Sequence, residues 1–314
     1  MIETKKAEGI RSGGAGGEAR LLPISVIIAV RNEAHNLPRC LDALRNCGEV
    51  YVVDSRSTDA TCEIAAAKGA KVVQFDYRGG WPKKRQWALD TLPLVYGWVL
   101  LLDADEVMTP ALEEEIRDAI AKPDYNGYFI ALQMHFLGRQ LRHSDASFWK
   151  LSLFRRGKAH YECRLKDQDS SMADMEVHEH VVCEGATGRM TNPLVHRNVE
   201  SLFRYIQKHN EYSNWEAKVW LNQTHSDGGE PELQPAFWGT QAQRRRWLRR
   251  KFLMVPGFPA LFFIYKYFFR LGFLDWVPGL IYCGCQSVQF FHIKAKVYEL
   301  RMRERKTLHD YYFL

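Results

Sequence analysis

The sequence has few of the features that mark secreted or disulfide-stabilised proteins. Its seven cysteines are odd in number and scattered, which argues against a disulfide framework or a zinc ribbon and favours a reducing compartment. Residues 1–20 carry charges and glycines but no apolar core, so we expect no signal peptide and a flexible tail. Apolar and charged fractions of 46% and 25% are ordinary for a globular protein, and 314 residues suffice for one large domain or two modest ones.

No uncharged run in the C-terminal region is long enough to span a membrane. Residues 252–265 and 276–291 are uncharged over 14 and 16 positions and contain prolines, whereas a spanning helix needs about 20 apolar residues. They follow residues 244–251, where six cations fall within eight positions. We therefore predict helices that lie in the interface of an anionic membrane. A buried helical hairpin with a solvated basic face is the alternative. Nucleic-acid binding is not expected, because no recognition motif accompanies the arginines.

Strands and helices alternate through the first third of the chain. Buried-strand runs occur at residues 23–30, 49–54, 70–75 and 97–103. Helical patterns separate or follow them at residues 36–46, 60–68 and 83–92. This alternation predicts a mostly parallel α/β sheet flanked by helices. Three of the strands end on polar or acidic residues, which would therefore meet at one rim of the sheet.

The acidic end of the strand at residues 97–103 is the strongest chemical signal. Five apolar residues are followed by Asp103, Asp105 and Glu106, three carboxylates within four positions. Such carboxylates repel one another unless a cation joins them, and hard oxygens suit Mg²⁺ or Mn²⁺ that shares its shell with phosphates. We therefore predict that Asp103 and Asp105 bind a divalent cation. An acidic turn before the next helix, capped by Thr109, is a compatible alternative.

Residues 23–121 resemble the nucleotide-sugar half of the inverting family-2 glycosyltransferases of the GT-A fold. The stretches that carry this resemblance are 24–33, 52–59, 84–89 and 102–106. Further stretches resemble the branch that adds sugars to lipopolysaccharide core or related lipid-linked glycans: residues 136–139, 153–157, 177–179 and His196. The resemblance implies a Rossmann-like sheet, a nucleotide-sugar donor, expected to be a UDP-sugar, and a lipopolysaccharide-core or lipid-linked glycan acceptor.

The resemblance also implies roles for individual residues. The family residue that matches Asp54 contacts the nucleotide base, and the Asp-x-Asp holds the metal on the diphosphate. We assign the nucleotide-sugar site to Arg31, Asn32, Glu33, Asp54, Lys84, Arg85 and Asp103. For Lys84 and Arg85 a solvated helix face is an equally good interpretation. The family usually has glycine at the position of Arg56 and asparagine at that of Gln86, two departures that bear on base and donor preference.

Glycosyl transfer also needs a base that deprotonates the acceptor hydroxyl. Residues 175–182 are predicted as a short strand, on which Glu179 lies between apolar neighbours on one face. Partial desolvation there would raise the pKa of Glu179 toward that of a useful base, so we predict Glu179 as the catalytic base. His178 and His180 are weaker candidates, as supporting residues or metal ligands, and His196 matches a family histidine.

Taken together, these patterns predict a flexible tail over residues 1–22 and a GT-A domain over 23–198. The domain divides into a nucleotide-sugar half, 23–121, and an acceptor half, 122–198, and a helical, membrane-associated region follows at 199–314. The predicted function is metal-dependent, inverting glycosyl transfer at the cytoplasmic face of the cell membrane. The alternatives are a nucleotidyltransferase or phosphodiesterase on a nucleotide-binding fold, and a catalytically silent nucleotide-sugar-binding scaffold.

Overall fold

The computed structural model describes the greater part of the chain. The described residues are 21–122, 124–144, 148–166, 168, 172, 174–176, 179–198, 201–224 and 233–312. Most of the predicted tail and the candidate residue His178 lie outside these ranges. Within them the chain has a mixed α/β architecture, in agreement with the GT-A class predicted from the sequence.

Twelve strands and eight α-helices make up the described part of the chain. The strands are β1 (Leu22–Val30), β2 (Cys47–Asp54), β3 (Lys71–Gln74), β4 (Trp98–Asp103), β5 (Glu106–Val107), β6 (Gly127–Phe136), β7 (Arg139–Gln140), β8 (Phe148–Arg155), β9 (Ala159–Tyr161), β10 (Val181–Cys183), β11 (Thr187–Arg189) and β12 (Leu194–Asn198). The helices are α1 (Leu37–Asp42), α2 (Thr61–Ala67), α3 (Lys84–Thr91), α4 (Pro110–Ile120), α5 (Leu202–Thr224), α6 (Gln241–Phe252), α7 (Phe258–Ile264) and α8 (Trp276–Tyr312).

Ten of the strands form one central sheet with the order β3-β2-β1-β4-β8-β6-β12-β5. The first four strands of this order are parallel, as predicted, and residues 22–103 therefore contain a Rossmann-like sheet. The second half is mixed, because β8 lies antiparallel between β4 and β6. The short strands β7 and β11 also pair with β6, and β9 and β10 form a separate two-stranded sheet.

The central strands are buried on both faces, which explains their unbroken apolar sequences. Val26 and Ile28 of β1 face a core that includes α1 and α4, whereas Ile27 of the same strand faces a second core with Ala88 of α3. Because side chains alternate along a strand, both sets of positions must be apolar when helices cover both faces. The carboxyl ends of β1, β2 and β4 consequently meet at one rim, at Val30, Asp54 and Asp103.

The segment that carries Glu179 differs from the prediction. A strand was predicted over residues 175–182, but β10 begins only at Val181. Glu179 and His180 precede it, and the Glu162 side chain accepts a hydrogen bond from the backbone N–H of His180 at 2.9 Å. A buried side chain thus satisfies the N–H of His180, while its carbonyl still accepts from the backbone N–H of Glu162 at 3.1 Å.

The C-terminal helices pack on each other and on the sheet. Ala217 and Leu221 of α5 share a small core with Phe290 and Ile293 of α8. Asp275, just before α8, accepts hydrogen bonds from the backbone N–H groups of residues 142–144, at 2.8 to 3.1 Å. Among the helices of the described ranges, no segment combines the length and the apolar character that crossing a membrane requires.

Candidate active site

A cavity of about 490 Å³ opens at the rim where β4 ends. Strands β4, β6 and β8 form its floor, and side chains of α5 and α6 form its outer walls. The segment before β10 supplies Glu179 from one side. Polar groups and aromatic rings thus surround one concave space, which is the usual form of a small-molecule site.

Asp103, the last residue of β4, lies between two cations at the cavity. The Arg85 guanidinium donates to Asp103 Oδ1, and Lys150 Nζ lies 3.1 Å from Asp103 Oδ2. Burial favours the protonated form, but Arg85 and Lys150 outweigh it and hold the pKa of Asp103 far below its ordinary value. The first carboxylate of the Asp-x-Asp therefore already has cationic partners on both oxygens.

Asp105 has a different environment, because its carboxylate faces an imidazole. Its Oδ2 lies 3.3 Å from Nε2 of His196, and both side chains are half-buried at the cavity. Residue 196 is brought there by the antiparallel pairing of β12 with β5, which places His196 opposite Glu106. A carboxylate oxygen and an imidazole nitrogen thus lie side by side, and both groups can coordinate a divalent cation. The pair Asp105 and His196 thus fits a divalent cation better than Asp103 does.

No group of three or more metal-binding side chains converges anywhere in the described ranges. A cation held by Asp105 and His196 would need its other ligands from water or from a substrate. Mg²⁺ and Mn²⁺ sites commonly have this composition, since they keep open positions for phosphate oxygens.

Lys150 and Glu106 complete the polar floor and were not among the predicted site residues. Lys150 Nζ lies 3.1 Å from Glu106 Oε1, and the Glu106 carboxylate accepts from the backbone N–H of Asp103 at 2.9 Å. Glu106 is fully buried, and burial raises its pKa. The available signal was Lys150 itself, a charge inside an otherwise mostly apolar strand, β8, whose sequence is FWKLSLFR.

Glu179 lies in the cavity wall beside a buried lysine. Its Oε2 is 3.5 Å from Lys83 Nζ, and neither side chain exposes any surface. Within the described residues, no hydrogen-bond donor reaches either oxygen of this carboxylate. Burial raises the pKa of Glu179 to about 7, and the Lys83 cation only partly offsets that rise. The desolvation that the sequence suggested is therefore present, although a loop rather than a strand provides it.

The two basic residues at the start of α3 are buried, so the solvated helix face is wrong for both. Lys84 donates to the Val30 carbonyl at 2.7 Å and pairs with Asp174 at 2.9 Å. Lys84 thus fixes the carboxyl end of β1 and does not line the cavity. Arg85 does line the cavity, where it links Asp103 to the backbone carbonyl of Glu176.

Of the three predicted site residues that follow β1, some line the cavity and others do not. Arg31 is exposed. The side chain of Asn32 accepts from the backbone N–H of Thr58 at 2.7 Å and thereby holds the neighbouring loop. Glu33 is buried at the cavity and pairs with Lys208 of α5 at 2.9 Å. Only Glu33 of this predicted triplet lines the cavity.

Asp54 ends β2 and is committed to its own loop. Its carboxylate accepts from the backbone N–H of Ser57 at 2.9 Å and from the Gln74 amide at 3.0 Å. Burial raises its pKa, but these hydrogen bonds dominate and lower it. Asp54 does not line the 490 Å³ cavity, so its predicted contact with a nucleotide base stays a prediction.

The two departures from the family pattern have structural explanations. Arg56 has a φ of +53°, in the left-handed region that glycine adopts most easily. Its guanidinium makes a two-point ion pair with Asp76, at 2.6 and 2.9 Å. The Gln86 side chain bonds the backbone N–H of Tyr161 at 2.7 Å and the carboxylate of Asp90 at 2.7 Å. Gln86 therefore supports the protein interior and does not point at a ligand.

His180 belongs to a buried ion-pair cluster that the sequence did not reveal. Arg246, from the basic run of α6, donates to both oxygens of Glu162. The His180 ring Nδ1 lies 3.0 Å from Arg246 and 3.3 Å from Glu162. One cation of the run thus belongs to the interior, which a sequence of consecutive arginines does not indicate.

Helix α5 contributes an aromatic wall that the sequence analysis did not assign to the site. Tyr205, His209 and Tyr212 lie on one face of the helix and line the cavity together with Lys208. The rings of Tyr205 and His209 stack with centroids 3.9 Å apart. Such rings provide the apolar surface on which a sugar or a base packs.

Comparison with known proteins identifies the family. The model of glycosyl transferase family 2 matches residues 25–177. The lipopolysaccharide core biosynthesis glycosyltransferase LpsC of Rhizobium meliloti is 27% identical over 285 residues, which cover 88% of this chain and 93% of LpsC. An uncharacterised glycosyltransferase of Rickettsia conorii is 30% identical over 205 residues, which cover 64% of this chain and 71% of that protein.

Among solved structures, residues 1–349 of S. aureus TarS align with 90% of this chain and 92% of that one, at a TM-score of 0.41 and 16% identity. The match to the family model lies over the parallel sheet and the acidic rim, and the relative from Rickettsia conorii shares 30% of the aligned residues. The chain belongs to glycosyl transferase family 2, and it is a glycosyltransferase.

Proposed function

We propose that this enzyme transfers a sugar, with inversion, from a UDP-sugar to a lipopolysaccharide-core or lipid-linked glycan. One observation carries the proposal: a single cavity has a buried carboxylate with a pKa of about 7, Glu179, and a separate polar end at Asp105 and His196. An inverting transfer needs these two functions, a base for the acceptor and a place for the leaving diphosphate. The similarity to LpsC supports the choice of acceptor.

At the donor end, Asp105 and His196 would hold a divalent cation, Mg²⁺ or Mn²⁺. The cation would supply positive charge for the diphosphate that leaves. Arg85 is fully buried next to this end and adds a permanent cation, since its guanidinium stays charged. Asp103 keeps Arg85 and Lys150 in position, which makes it an organiser of the donor end in this proposal.

At the acceptor end, Glu179 would remove the proton of the attacking hydroxyl. A carboxylate with a pKa near 7 is ionised in about half of the molecules at neutral pH and is a much stronger base than an exposed glutamate. Neither of its oxygens receives a hydrogen bond from the described residues, and in this proposal the acceptor hydroxyl supplies that donor. Lys83 stays beside the carboxylate and stabilises its charged form at 3.5 Å.

We further propose that the enzyme lies at the cytoplasmic face of the cell membrane through the segment of residues 261–280. Eleven large apolar side chains of this segment are exposed: Leu261, Ile264, Tyr265, Phe268, Phe269, Leu271, Phe273, Leu274, Trp276, Val277 and Leu280. An apolar surface of this density on a globular protein marks an interaction site. Arg270 is exposed within it, and the cations of α6 precede it, which suits an anionic lipid surface.

Membrane binding can be measured by co-sedimentation with vesicles that contain phosphatidylglycerol. The structure excludes Arg246 and Arg249 from the test, because both make internal ion pairs. Replacing the exposed Arg244, Arg250 and Lys251 with Gln should weaken binding at low salt, by about 1 kcal/mol for each cation that contacts the lipid.

Replacing Phe269 and Trp276 with Ser should release the protein at any salt concentration, because their apolar area drives insertion. Val95, which is equally exposed but lies outside the segment, provides the matched control as Val95→Ser. Equal sedimentation of all variants would exclude the interfacial surface.

The proposed function is tested directly by a donor screen followed by product analysis. Thermal unfolding with UDP, GDP and other nucleotides, each with and without Mn²⁺, should show the largest rise in Tm for UDP with the cation, since ligands that bind only the native state stabilise it. Turnover should then release UDP. Release of pyrophosphate would identify a nucleotidyltransferase instead, and binding of UDP without turnover on any glycan acceptor would identify a silent scaffold.

A further inference from the structure

A second cavity of about 290 Å³ adjoins the active site and is strongly basic. Its walls come from α5, α6 and α8 together with the segment that follows β9. Five arginines line it: Arg164, Arg245, Arg246, Arg249 and Arg250. Glu216 is the one acidic residue among its described lining residues. The charge of this wall therefore favours an anionic ligand.

The arginines are held in place by the protein and repel one another. Arg246 is anchored by Glu162, and Arg249 pairs with Glu216 at 3.0 Å. Burial, together with the charges of Arg246 and Arg249, lowers the pKa of Arg164 to about 10. Bringing these cations together has a cost in free energy, which a bound anion would relieve.

Aromatic rings lie among the cations. The Arg164 guanidinium is 5.3 Å from the ring centroid of Trp215, and that of Arg245 is 5.1 Å from the ring centroid of Phe148. Trp220 and Tyr212 also line the cavity. A wall of rings and guanidinium groups suits a sugar that carries a phosphate or a carboxylate, because the rings contact its C–H surface and the arginines its charge.

The second cavity shares part of its wall with the first. The residues that line both cavities are Phe148, His180, His209, Tyr212, Ala242 and Arg245, and His180 directly follows Glu179. Asp105 and His196, to which we assign the cation, line only the first cavity. An anion bound among the arginines would thus lie next to the segment that carries the base and would not contact Asp105 or His196.

We propose that the five-arginine cavity binds an anionic group, a phosphate or a carboxylate, on the glycan acceptor. The inference rests on the proposed function and adds the chemical class of the acceptor to it. A neutral oligosaccharide would bring no charge to this basic wall. An acceptor with a negative charge near its reacting sugar would be held in register with Glu179.

The test measures binding of glucose 6-phosphate and of glucose by calorimetry, with UDP and Mg²⁺ at saturation so that the donor end is filled. We expect glucose 6-phosphate to bind the wild type at least tenfold more tightly than glucose. Arg164→Gln should remove most of that preference. Arg250→Gln, at an exposed position of the cavity wall, should weaken it severalfold without risk to the fold. Arg244→Gln is the matched control, because Arg244 is exposed on the same helix and lines neither cavity.

The UDP affinity of the same proteins separates this inference from the proposed function. If UDP binds normally but glucose 6-phosphate binds no better than glucose, or binds all four proteins equally, the anion site is wrong and the transferase proposal stands. If UDP does not bind even with Mg²⁺ or Mn²⁺ present, the proposed function fails. The remaining measurement uses phosphatidylglycerol vesicles. If Arg164→Gln loses vesicle binding and the wild type does not bind the sugar phosphate, the cavity binds a lipid headgroup. That result would overturn the acceptor assignment.

Discussion

Replacing Glu179 with glutamine is expected to lower turnover by roughly 10²–10⁴-fold while UDP-sugar affinity remains unchanged. Glutamine keeps the shape of the side chain but cannot accept the proton of the acceptor hydroxyl. The donor affinity should persist because Glu179 makes its ion pair with Lys83, whereas Arg85 and His196 pair with Asp103 and Asp105. Single-turnover rates and calorimetry with UDP measure the two quantities separately. Glu184→Gln, an exposed glutamate one strand away, is the control.

The pH dependence provides a second measure of the same carboxylate. Because the pKa of Glu179 is about 7, kcat/KM of the wild type should fall about tenfold per pH unit below that value. The glutamine variant should lack this acidic limb. A variant that loses UDP binding instead would place Glu179 at the donor end and contradict the assignment.

The substitution Glu179→Gln should stabilise the fold at neutral and higher pH, although it lowers activity. The folded-state pKa of Glu179 is raised above its ordinary 4.5, so the unfolded chain loses this proton first as the pH rises. The free energy of unfolding of the wild type should therefore fall progressively between pH 4.5 and 7. The total loss is up to about 3 kcal/mol, because one pKa unit of one group corresponds to about 1.36 kcal/mol. Glu179→Gln should unfold at a higher Tm than the wild type at pH 8, with a smaller difference at pH 4.5.

The sequence predicted the parallel part of the sheet well because its signals are local. Strands such as β1 and β4 are covered on both faces, which requires unbroken apolar runs, and the acids at their ends follow from their position at the rim. Thr109 also caps α4 as expected, by accepting from the backbone N–H of Leu112 at 3.1 Å. The helix cap and the acidic rim therefore coexist, and neither interpretation excluded the other.

The roles of individual charges could not be predicted, because they depend on partners far along the chain. Asp103 and Asp105 are two positions apart, yet their partners differ. Lys150 from β8 pairs with Asp103, and His196 from β12 pairs with Asp105. The basic run of α6 is similar, since Arg246 is buried against Glu162 while Arg244 is exposed. Pairs separated by tens of residues are set by strand order and helix packing, which no local pattern contains.

The different partners of the two aspartates lead to the second large effect. Asp105→Ala is expected to abolish metal-dependent turnover, by roughly 10³-fold or more, while the protein stays folded. The side chain pairs with His196 at the cavity and serves the cation that we propose. The backbone carbonyl of Asp105 accepts from the N–H of Arg197 at 2.9 Å, and this contact persists in alanine. The rise in Tm that Mn²⁺ produces in the presence of UDP should disappear, whereas the Tm without ligands should hardly change.

Asp103→Asn is the matched comparison for Asp105→Ala. It leaves the buried Arg85 and the half-buried Lys150 without one of their carboxylates, so its Tm without ligands should fall. If Asp105→Ala keeps full activity, or if the wild type keeps it in the presence of a chelator, the enzyme does not use a metal at this position. If instead Asp103→Asn loses Mn²⁺ binding without any loss of Tm, then Asp103 is itself a ligand. Arg85 and Lys150 would then have to move away from it when the donor binds.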